Sequence, residues 1–225
     1  MITQAMLSDV LRYIGMPKDK ADETIKQKVM DTFRFLVEIA MPRFTYRRLT
    51  LSKSELSDED VFFENTSLIV KSKDLVKLLK NCESCYILAA TLGQNVDKQI
   101  HLKQKLDMLD AVVLDACSSV LIDKVCDDIE VEIMEKLEES TYLTMRFSPG
   151  YGDVPLVFSE EILKLLEAPK RIGLTLTKSH MLLPSKSVTA IIGVSSQKEN
   201  RQKSCAHCNL VKQCLYRKRG ERCGL

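Results

Sequence analysis

The chain has 225 residues, is 45% hydrophobic and 28% charged, carries a formal net charge of +2, and is long enough to bury a core of its own. Its apolar runs are shorter than the roughly 20 residues that a membrane helix needs, and its N-terminus lacks the basic and apolar segments of a secretory signal. We therefore expect a cytoplasmic protein without a membrane partner.

The first half of the chain alternates helical and extended patterns. Apolar residues three and four positions apart predict helices, and alternating or continuous apolar runs predict strands. In chain order, these patterns predict a helix over 3–14, a helix over 20–40, a strand over 43–51, a hairpin formed by 61–63 and 68–70, a short helix capped by Ser72 and ending near Lys80, a buried strand over 86–90, and a helix from about Asn95.

The second half begins with the longest helical signal, 105–139, which holds eleven Asp or Glu against three Lys and fits one helix or two. These acids are expected to form a solvated helix face, the alternative being that some point toward a ligand. Strands scattered among helices, without a βαβ repeat, indicate an α+β fold. After the long helix, the patterns predict a short strand over 142–146, a turn over 148–153, a helix over 159–167, and strands over 172–177 and 187–195.

A turn rich in glycine and proline follows the predicted strand at 142–146. It has the sequence Arg146-Phe147-Ser148-Pro149-Gly150-Tyr151. Proline and glycine hold the backbone in a tight shape that a ligand can approach closely. Arg146 offers a fork of donors for a carboxylate, and Tyr151 offers an aromatic face and a hydroxyl. The pattern suits a zwitterionic ligand with an aromatic base, although a purely structural strand-to-helix turn is the simpler interpretation of these residues alone.

The end of the chain is basic and rich in cysteine. From Gln197 onward, eight Lys or Arg stand against two Asp or Glu, a net of +6 that leaves −4 for the first 196 residues. The composition predicts a polar linker over 197–204 and a separate basic, Cys-rich tail over 205–225. Four cysteines in the tail follow the pattern Cys-x2-Cys-x5-Cys-x8-Cys: Cys205, Cys208, Cys214 and Cys223.

Four thiolates at this spacing can complete the tetrahedral shell of one metal. The set suits zinc and, equally, an iron–sulfur cluster, and the spacing decides for neither. Zinc ligation that uses His207 is a further option, and a tail of reduced cysteines without metal is the alternative. The remaining cysteines are expected in the core, rather than in a redox pair: Cys82, Cys85, Cys117 and Cys126.

The turn belongs to an ordered series of motifs. The series continues with the helix at 159–167, with Gly173-Leu174-Thr175-Leu176-Thr177, and with Pro184 ahead of Ser187-Val188. It resembles the C-terminal activation domain of cobalamin-dependent methionine synthase, which carries an Arg-x-x-Pro-Gly-Tyr turn, a short helix, a Gly-x-x-Leu-Thr strand and a Pro before Ser-Val in the same order. The resemblance is dense over about 140–195 and diffuse from roughly 1 to 140.

The resemblance implies a single C-shaped α+β domain over 1–196, with a twisted antiparallel sheet flanked by helices. It also implies that this domain binds S-adenosylmethionine and docks over cobalamin. Arg146 would then contact the ligand carboxylate. Ser148 and Gly150 would contribute backbone groups, within a turn shaped by Pro149. Tyr151 would pack on the ligand or on the edge of the corrin.

The resulting expectation is a stand-alone activation module, an accessory component rather than a complete enzyme. It would support reductive methylation of cobalamin held by methionine synthase or a related corrinoid protein, with an electron from a donor protein. The alternative, based on the tail, is a metal-bearing electron-transfer or adaptor protein whose turn is structural. Nucleic-acid binding is not expected, because Tyr216 is the single aromatic residue among the basic residues of the tail.

Overall fold

The computed structural model describes residues 3–17, 20–52, 57–198, 212–213 and 218. The helices of this part of the chain are α1 (Gln4–Tyr13), α2 (Glu23–Ile39), α3 (Lys73–Leu79), α4 (Gln94–Leu106), α5 (Met108–Met134), α6 (Phe158–Leu165) and α7 (Ala168–Ile172). Its strands are β1 (Arg43–Thr50), β2 (Asp60–Phe62), β3 (Ile69–Lys71), β4 (Cys82–Thr91), β5 (Tyr142–Leu143), β6 (Thr175–Leu176), β7 (Leu182–Leu183) and β8 (Ser187–Ser195).

An antiparallel sheet of four strands, in the order β1-β4-β8-β5, divides the domain. Successive residues of a strand point to opposite faces, so the continuous apolar run in β4 serves two cores. Leu88 belongs to the core on one face and Ile87 to the core on the other, and both side chains are fully buried. The sheet is therefore covered on both faces, as the sequence predicts for this strand, and the fold is α+β.

The first core, which contains Leu88, is built mainly by α5. This helix packs against α1, α2 and α4, and buries Val113, Leu114 and Ile133 completely. The start of α5 is fixed by Asp107, whose carboxylate accepts the backbone N–H of Leu109 at 2.8 Å and so caps the helix. The segment 105–139 thus contributes one 27-residue helix, preceded by the last turn of α4.

The second core, which contains Ile87, lies under α3, α6, α7 and the β2–β3 hairpin. Ser72 caps α3 as predicted, since its hydroxyl accepts the backbone N–H of Leu75 at 2.9 Å. Leu75 and Leu79 then anchor this short helix in the core. This arrangement places the N-terminus of α3 next to the turn at 148–153.

The prediction of a strand over 172–177 is wrong in its first half. Ile172 ends α7, and Gly173 follows with φ +70°, a left-handed conformation that terminates a helix. Only Thr175–Leu176 forms a strand, paired with Leu182–Leu183. Ile172 and Leu174 are both buried, but Ile172 is the last residue of α7 and Leu174 lies in the turn that follows. Their alternation therefore has the period of a strand without forming one.

The strand predicted over 142–146 is shorter than expected. Only Tyr142–Leu143 pairs with β8. Beyond it, the hydroxyl of Thr144 accepts the backbone N–H of Gly193 at 2.8 Å. The backbone N–H of Thr144 still donates to the carbonyl of Gly193 at 2.9 Å, so the side chain replaces only the return acceptor of this step, and the chain leaves the strand just before the turn.

Candidate functional site

The turn over 148–153 is fixed to the central sheet at its start. Phe147 and Ile191 bridge the chain to β8, because the N–H of each donates to the carbonyl of the other at 2.9 Å. Gly150 has φ +90°, which a side chain would strain, and its N–H donates to a carbonyl four residues later at 2.9 Å. Tyr151 is 70% exposed. The backbone of the turn is therefore held in one shape, while the phenol of Tyr151 projects into solvent.

Arg146, just before the turn, lies against α5. Its Nη1 donates to Oδ1 of Asp127 at 2.7 Å and to Oε1 of Glu130 at 2.6 Å. Although burial opposes its charge, the hydrogen bond to Asp127 and the charge of Glu130 hold the pKa of Arg146 above its ordinary value. A guanidinium carries five N–H groups, so a ligand carboxylate can be bound while both acids remain paired.

Two cavities meet at Asp127. An open cleft of about 510 Å³ runs along the outer surface of α5, and its walls include Asp127, Glu130 and Glu135. A smaller cavity of about 190 Å³ lies between α1 and α5, with Tyr13 and Asp123 in its walls. All the residues that line the cleft belong to α5 or its C-terminal cap, so it is a shallow, open depression of the surface rather than an enclosed pocket, and its polar lining is acidic. Arg146 provides a cation at its edge.

Tyr13 on α1 connects the smaller cavity with the turn. Burial, first of all, raises the pKa of its phenol, and the negative charge of Asp123 raises it further, while Arg12 acts in the opposite direction. Tyr151 of the turn is close enough to interact with the same phenol. The guanidinium of Arg12 lies 5.2 Å from the centroid of the Tyr13 ring and pairs with Asp9 at 2.9 Å. Two phenols, one from α1 and one from the turn, therefore border the same region.

The five residues predicted to bind the ligand lie in one short stretch of chain, so their proximity follows from the sequence: Arg146, Ser148, Pro149, Gly150 and Tyr151. Their roles in binding stay predictions. Asp127 and Glu130 belong to the acidic segment 105–139, for which contact with a ligand is the alternative to a solvated face, whereas the sequence patterns did not single out Tyr13. The i, i+3 spacing of the two acids within a predicted helix is the one signal for them in the sequence, because it places both on one helix face.

The four cysteines predicted to bind a metal lie outside the described residues, so that site stays a prediction: Cys205, Cys208, Cys214 and Cys223. Within the described ranges, no group of three or more His, Cys, Asp or Glu is placed to hold a metal ion. The other four cysteines are buried, as predicted for core residues: Cys82, Cys85, Cys117 and Cys126. Burial raises the pKa of the Cys117 and Cys126 thiols to about 12, which keeps them protonated.

The helices formed by the described residues include none with both the length and the apolar character to span a bilayer.

Comparisons with known proteins give a family and a similar solved structure. The family model described as vitamin B12 dependent methionine synthase, activation domain, matches residues 74–219, more than half of the chain. A comparison with curated proteins gives no match. The crystal structure of the MetH reactivation domain bound to AdoHcy is similar at a TM-score of 0.60 and 15% sequence identity, covering 86% of this chain and 77% of that chain. The resemblance carried by the motifs over 140–195 is thus confirmed, and the chain belongs to the family of vitamin B12-dependent methionine synthase activation domains.

Proposed function

We propose that this protein binds S-adenosylmethionine beside Arg146 and the turn at 148–153, and so supports the reductive methylation of cobalamin held by a partner protein. The observation that carries the proposal is the placement of Arg146. Its guanidinium is paired with Asp127 and Glu130 at the edge of an open cleft, next to a rigid glycine turn. Membership of the family supports the same function.

The charges of this region complement those of the ligand. S-adenosylmethionine carries a carboxylate, an ammonium group and a sulfonium centre. Arg146 suits the carboxylate, because guanidinium and carboxylate form charge-assisted, bidentate hydrogen bonds. The acids of the cleft, Asp127, Glu130 and Glu135, are matched to the two cationic groups.

The turn and the two phenols suit the nucleoside. Backbone groups of Ser148 and Gly150 can contact the ligand closely, because Gly150 lacks a side chain and is held at φ +90°. Tyr151 offers an exposed aromatic face to adenine or to the edge of a corrin, and Tyr13 is a second, half-exposed phenol that is near enough to interact with it electrostatically. AdoHcy, which the solved reactivation domain binds, is what S-adenosylmethionine becomes after it has lost its methyl group.

The proposed reaction needs one electron and one methyl group. The partner's cobalamin would take up one electron from a donor protein and the methyl group of the sulfonium, and S-adenosylhomocysteine would be released. The contribution of this chain is to hold and orient the methyl donor over the corrin. We propose that it does so as an accessory component that acts on a separate cobalamin protein.

Isothermal titration with S-adenosylmethionine tests the binding step. Arg146→Met should weaken binding about 10- to 100-fold, the loss expected for hydrogen bonds between charged groups. The matched control is Arg34→Met, which removes an exposed arginine paired with Asp31 at 2.5 Å and should leave the affinity unchanged. If folded wild-type protein gives no heat, alone or with a corrinoid partner, the proposal is wrong.

Absorption spectra test the methylation step. The protein is mixed with a cobalamin-loaded methionine synthase that lacks an activation domain of its own, a reductant and S-adenosylmethionine, and conversion of cob(II)alamin to methylcobalamin is followed. We expect conversion to depend on the protein and to fall in Arg146→Met but not in Arg34→Met. Conversion at the same rate without the protein would remove its proposed role.

A second candidate function is electron transfer or adaptor activity through a metal in the tail. The observation that favours it is the set of four cysteines at Cys205, Cys208, Cys214 and Cys223. The metal would order a short polar segment, because binding energy becomes folding energy. Anaerobic purification followed by metal analysis should give about one metal site per chain, either zinc or iron with sulfide, and Cys208→Ser should lose it while Cys117→Ala keeps it. Zinc would exclude electron transfer, and no metal would exclude both forms of the proposal.

A further inference from the structure

The turn is attached at its far end to α3, through Asp153. The carboxylate of Asp153 accepts hydrogen bonds from the hydroxyl of Ser72, from the backbone N–H of Lys73 at 2.8 Å and from the backbone N–H of Asp74 at 3.3 Å. These partners lie about 80 residues earlier in the chain. A single side chain thus connects the turn to the start of a helix that is remote in sequence.

The attachment stabilises α3, because the first N–H groups of a helix have no hydrogen-bond partner within the helix. Ser72 satisfies one of them, since its hydroxyl accepts from Leu75 while it donates to Asp153. Asp153 satisfies two more. The helix itself is immobilised in the second core by Leu75 and Leu79, which are 0% and 5% exposed. Asp153 therefore binds to a rigid part of the domain.

Gly152 permits the close approach that this contact requires. Its φ is +53°, and a Cβ atom placed there would lie 2.5 Å from Oδ2 of Asp74 and 3.0 Å from Cζ of Phe147. The start of the turn is held at the sheet by the bridge between Phe147 and Ile191. The turn is thus clamped at both ends, at Phe147 by the sheet and at Asp153 by α3.

We propose that Asp153 is a positioning residue for the S-adenosylmethionine site: it holds the turn that carries Ser148, Gly150 and Tyr151 in its binding shape, without touching the ligand. The role rests on the function proposed above. Burial of Asp153 opposes its ionisation, but the hydrogen bonds from Ser72 and from the helix amides outweigh it and keep the pKa of Asp153 below its ordinary value. The carboxylate is thereby kept in the charged form that accepts all three bonds.

Asp153→Asn tests this role with little change in shape. Asparagine replaces one acceptor oxygen with an NH₂ group, so at least one of the three donors loses its acceptor. The matched control is Asp22→Asn, because Asp22 caps α2 by accepting the N–H of Ile25 at 2.9 Å, and α2 is remote from the turn. Both variants remove a negative charge from a helix N-terminus, but only Asp153→Asn should release the turn.

Two measurements separate positioning from general stability. In ligand-free protein, the amide of Gly150 is hydrogen-bonded within the turn. Its hydrogen exchange should become about tenfold faster in Asp153→Asn, as expected for the loss of one bond to a charged group, and should remain unchanged in Asp22→Asn. The dissociation constant for S-adenosylmethionine should rise about tenfold in the first variant and less than twofold in the second.

The possible results are distinguishable. An unchanged exchange rate at Gly150 in Asp153→Asn would overturn the positioning role, whatever the wild type binds. Equal loss of affinity in both variants would also overturn it, because helix stability alone would then explain the effect. Absence of binding by the folded wild type would instead overturn the proposed function, while the exchange experiment would still report whether Asp153 holds the turn.

Discussion

Glu130 and Asp127 bind the same nitrogen of Arg146, yet we expect Glu130→Gln to destabilise the protein more than Asp127→Asn. The two distances, 2.6 and 2.7 Å, are nearly equal. The exposed fractions of the two carboxylate side chains differ, at 13% for Glu130 and 59% for Asp127. Since water screens an exposed ion pair, the pair with Glu130 should contribute most of the stabilisation.

The magnitudes follow from this difference in exposure. A hydrogen bond to a charged group contributes about 1.5–3 kcal/mol when shielded, and glutamine retains one acceptor oxygen, so Glu130→Gln should cost about 1.5 kcal/mol. Asp127→Asn should cost about 0.5 kcal/mol, as is typical of exposed pairs. Arg146→Met should cost most, about 3 kcal/mol, because it removes the guanidinium from two carboxylates at once, one of them shielded from water.

Urea unfolding at neutral pH, followed by far-ultraviolet circular dichroism, measures these free energies. A double-mutant cycle between Arg146 and Glu130 should give a coupling energy of about 1 kcal/mol or more. The control is the cycle between Asp31 and Arg34, an ion pair of similar length in which the side chains are 57% and 66% exposed. Equal losses for the Glu130 and Asp127 variants, or a coupling no larger than in the control, would refute the reasoning.

Three further predictions concern the turn, an ion-paired acid and the sheet. Gly152→Ala should lower the free energy of unfolding by about 2–3 kcal/mol, and Gly173→Ala by about 1 kcal/mol. Both glycines have positive φ, but only at Gly152 would the new Cβ lie against other atoms. Thermal unfolding compares the two variants, and equal losses would contradict the close approach at Gly152. Hydrogen bonds from two lysines hold the pKa of Asp110 below its ordinary value. Asp110→Asn should therefore be less stable than the wild type at neutral pH, and the two stabilities should converge as the pH falls through the pKa of Asp110. A difference in stability that persists in acid would contradict this. Gly193→Ala should cost about 1–3 kcal/mol by overpacking, because its Cβ would lie 2.5 Å from Sγ of Cys82; chemical denaturation measures the loss, and an unchanged midpoint would show that the sheet can yield there.

The elements that could be predicted are those in which the spacing of apolar residues matches the faces that are buried. The apolar run at 86–90 predicts a strand covered on both sides, and Ile87 and Leu88 do belong to opposite cores. Ser72 could be predicted as a cap because capping is a local interaction over three residues. The prediction of a full strand over 172–177 is wrong because the alternating burial there is produced by a helix end and a turn, which a period of two cannot distinguish from a strand.

The candidate site could be predicted only in part, because its electrostatics depend on contacts between distant segments. The turn is contiguous and therefore visible in the sequence. The acids that hold Arg146 precede it by 16 and 19 residues, on a helix that crosses beside the turn. The expectation of a solvated acidic face is also only partly right, since Asp110 pairs with Lys103 at 3.0 Å and Asp115 with Lys186 at 2.8 Å. Such pairs depend on how helices pack, and helix periodicity does not specify them.

The packing of α5 against the core fixes the positions of these acids before any ligand binds. Asp127 and Glu130 alternate along the helix with Cys126 and Ile129, which are 0% and 2% exposed, so core packing fixes the backbone of the acids. A ligand bound at Arg146 would meet charges that are already in place, which lowers the ordering cost of binding. Tyr151, in contrast, is 70% exposed and belongs to neither core cluster. We therefore expect S-adenosylmethionine to leave α5 unchanged and to order the Tyr151 side chain. The conformational entropy lost on binding should then come mainly from this one side chain.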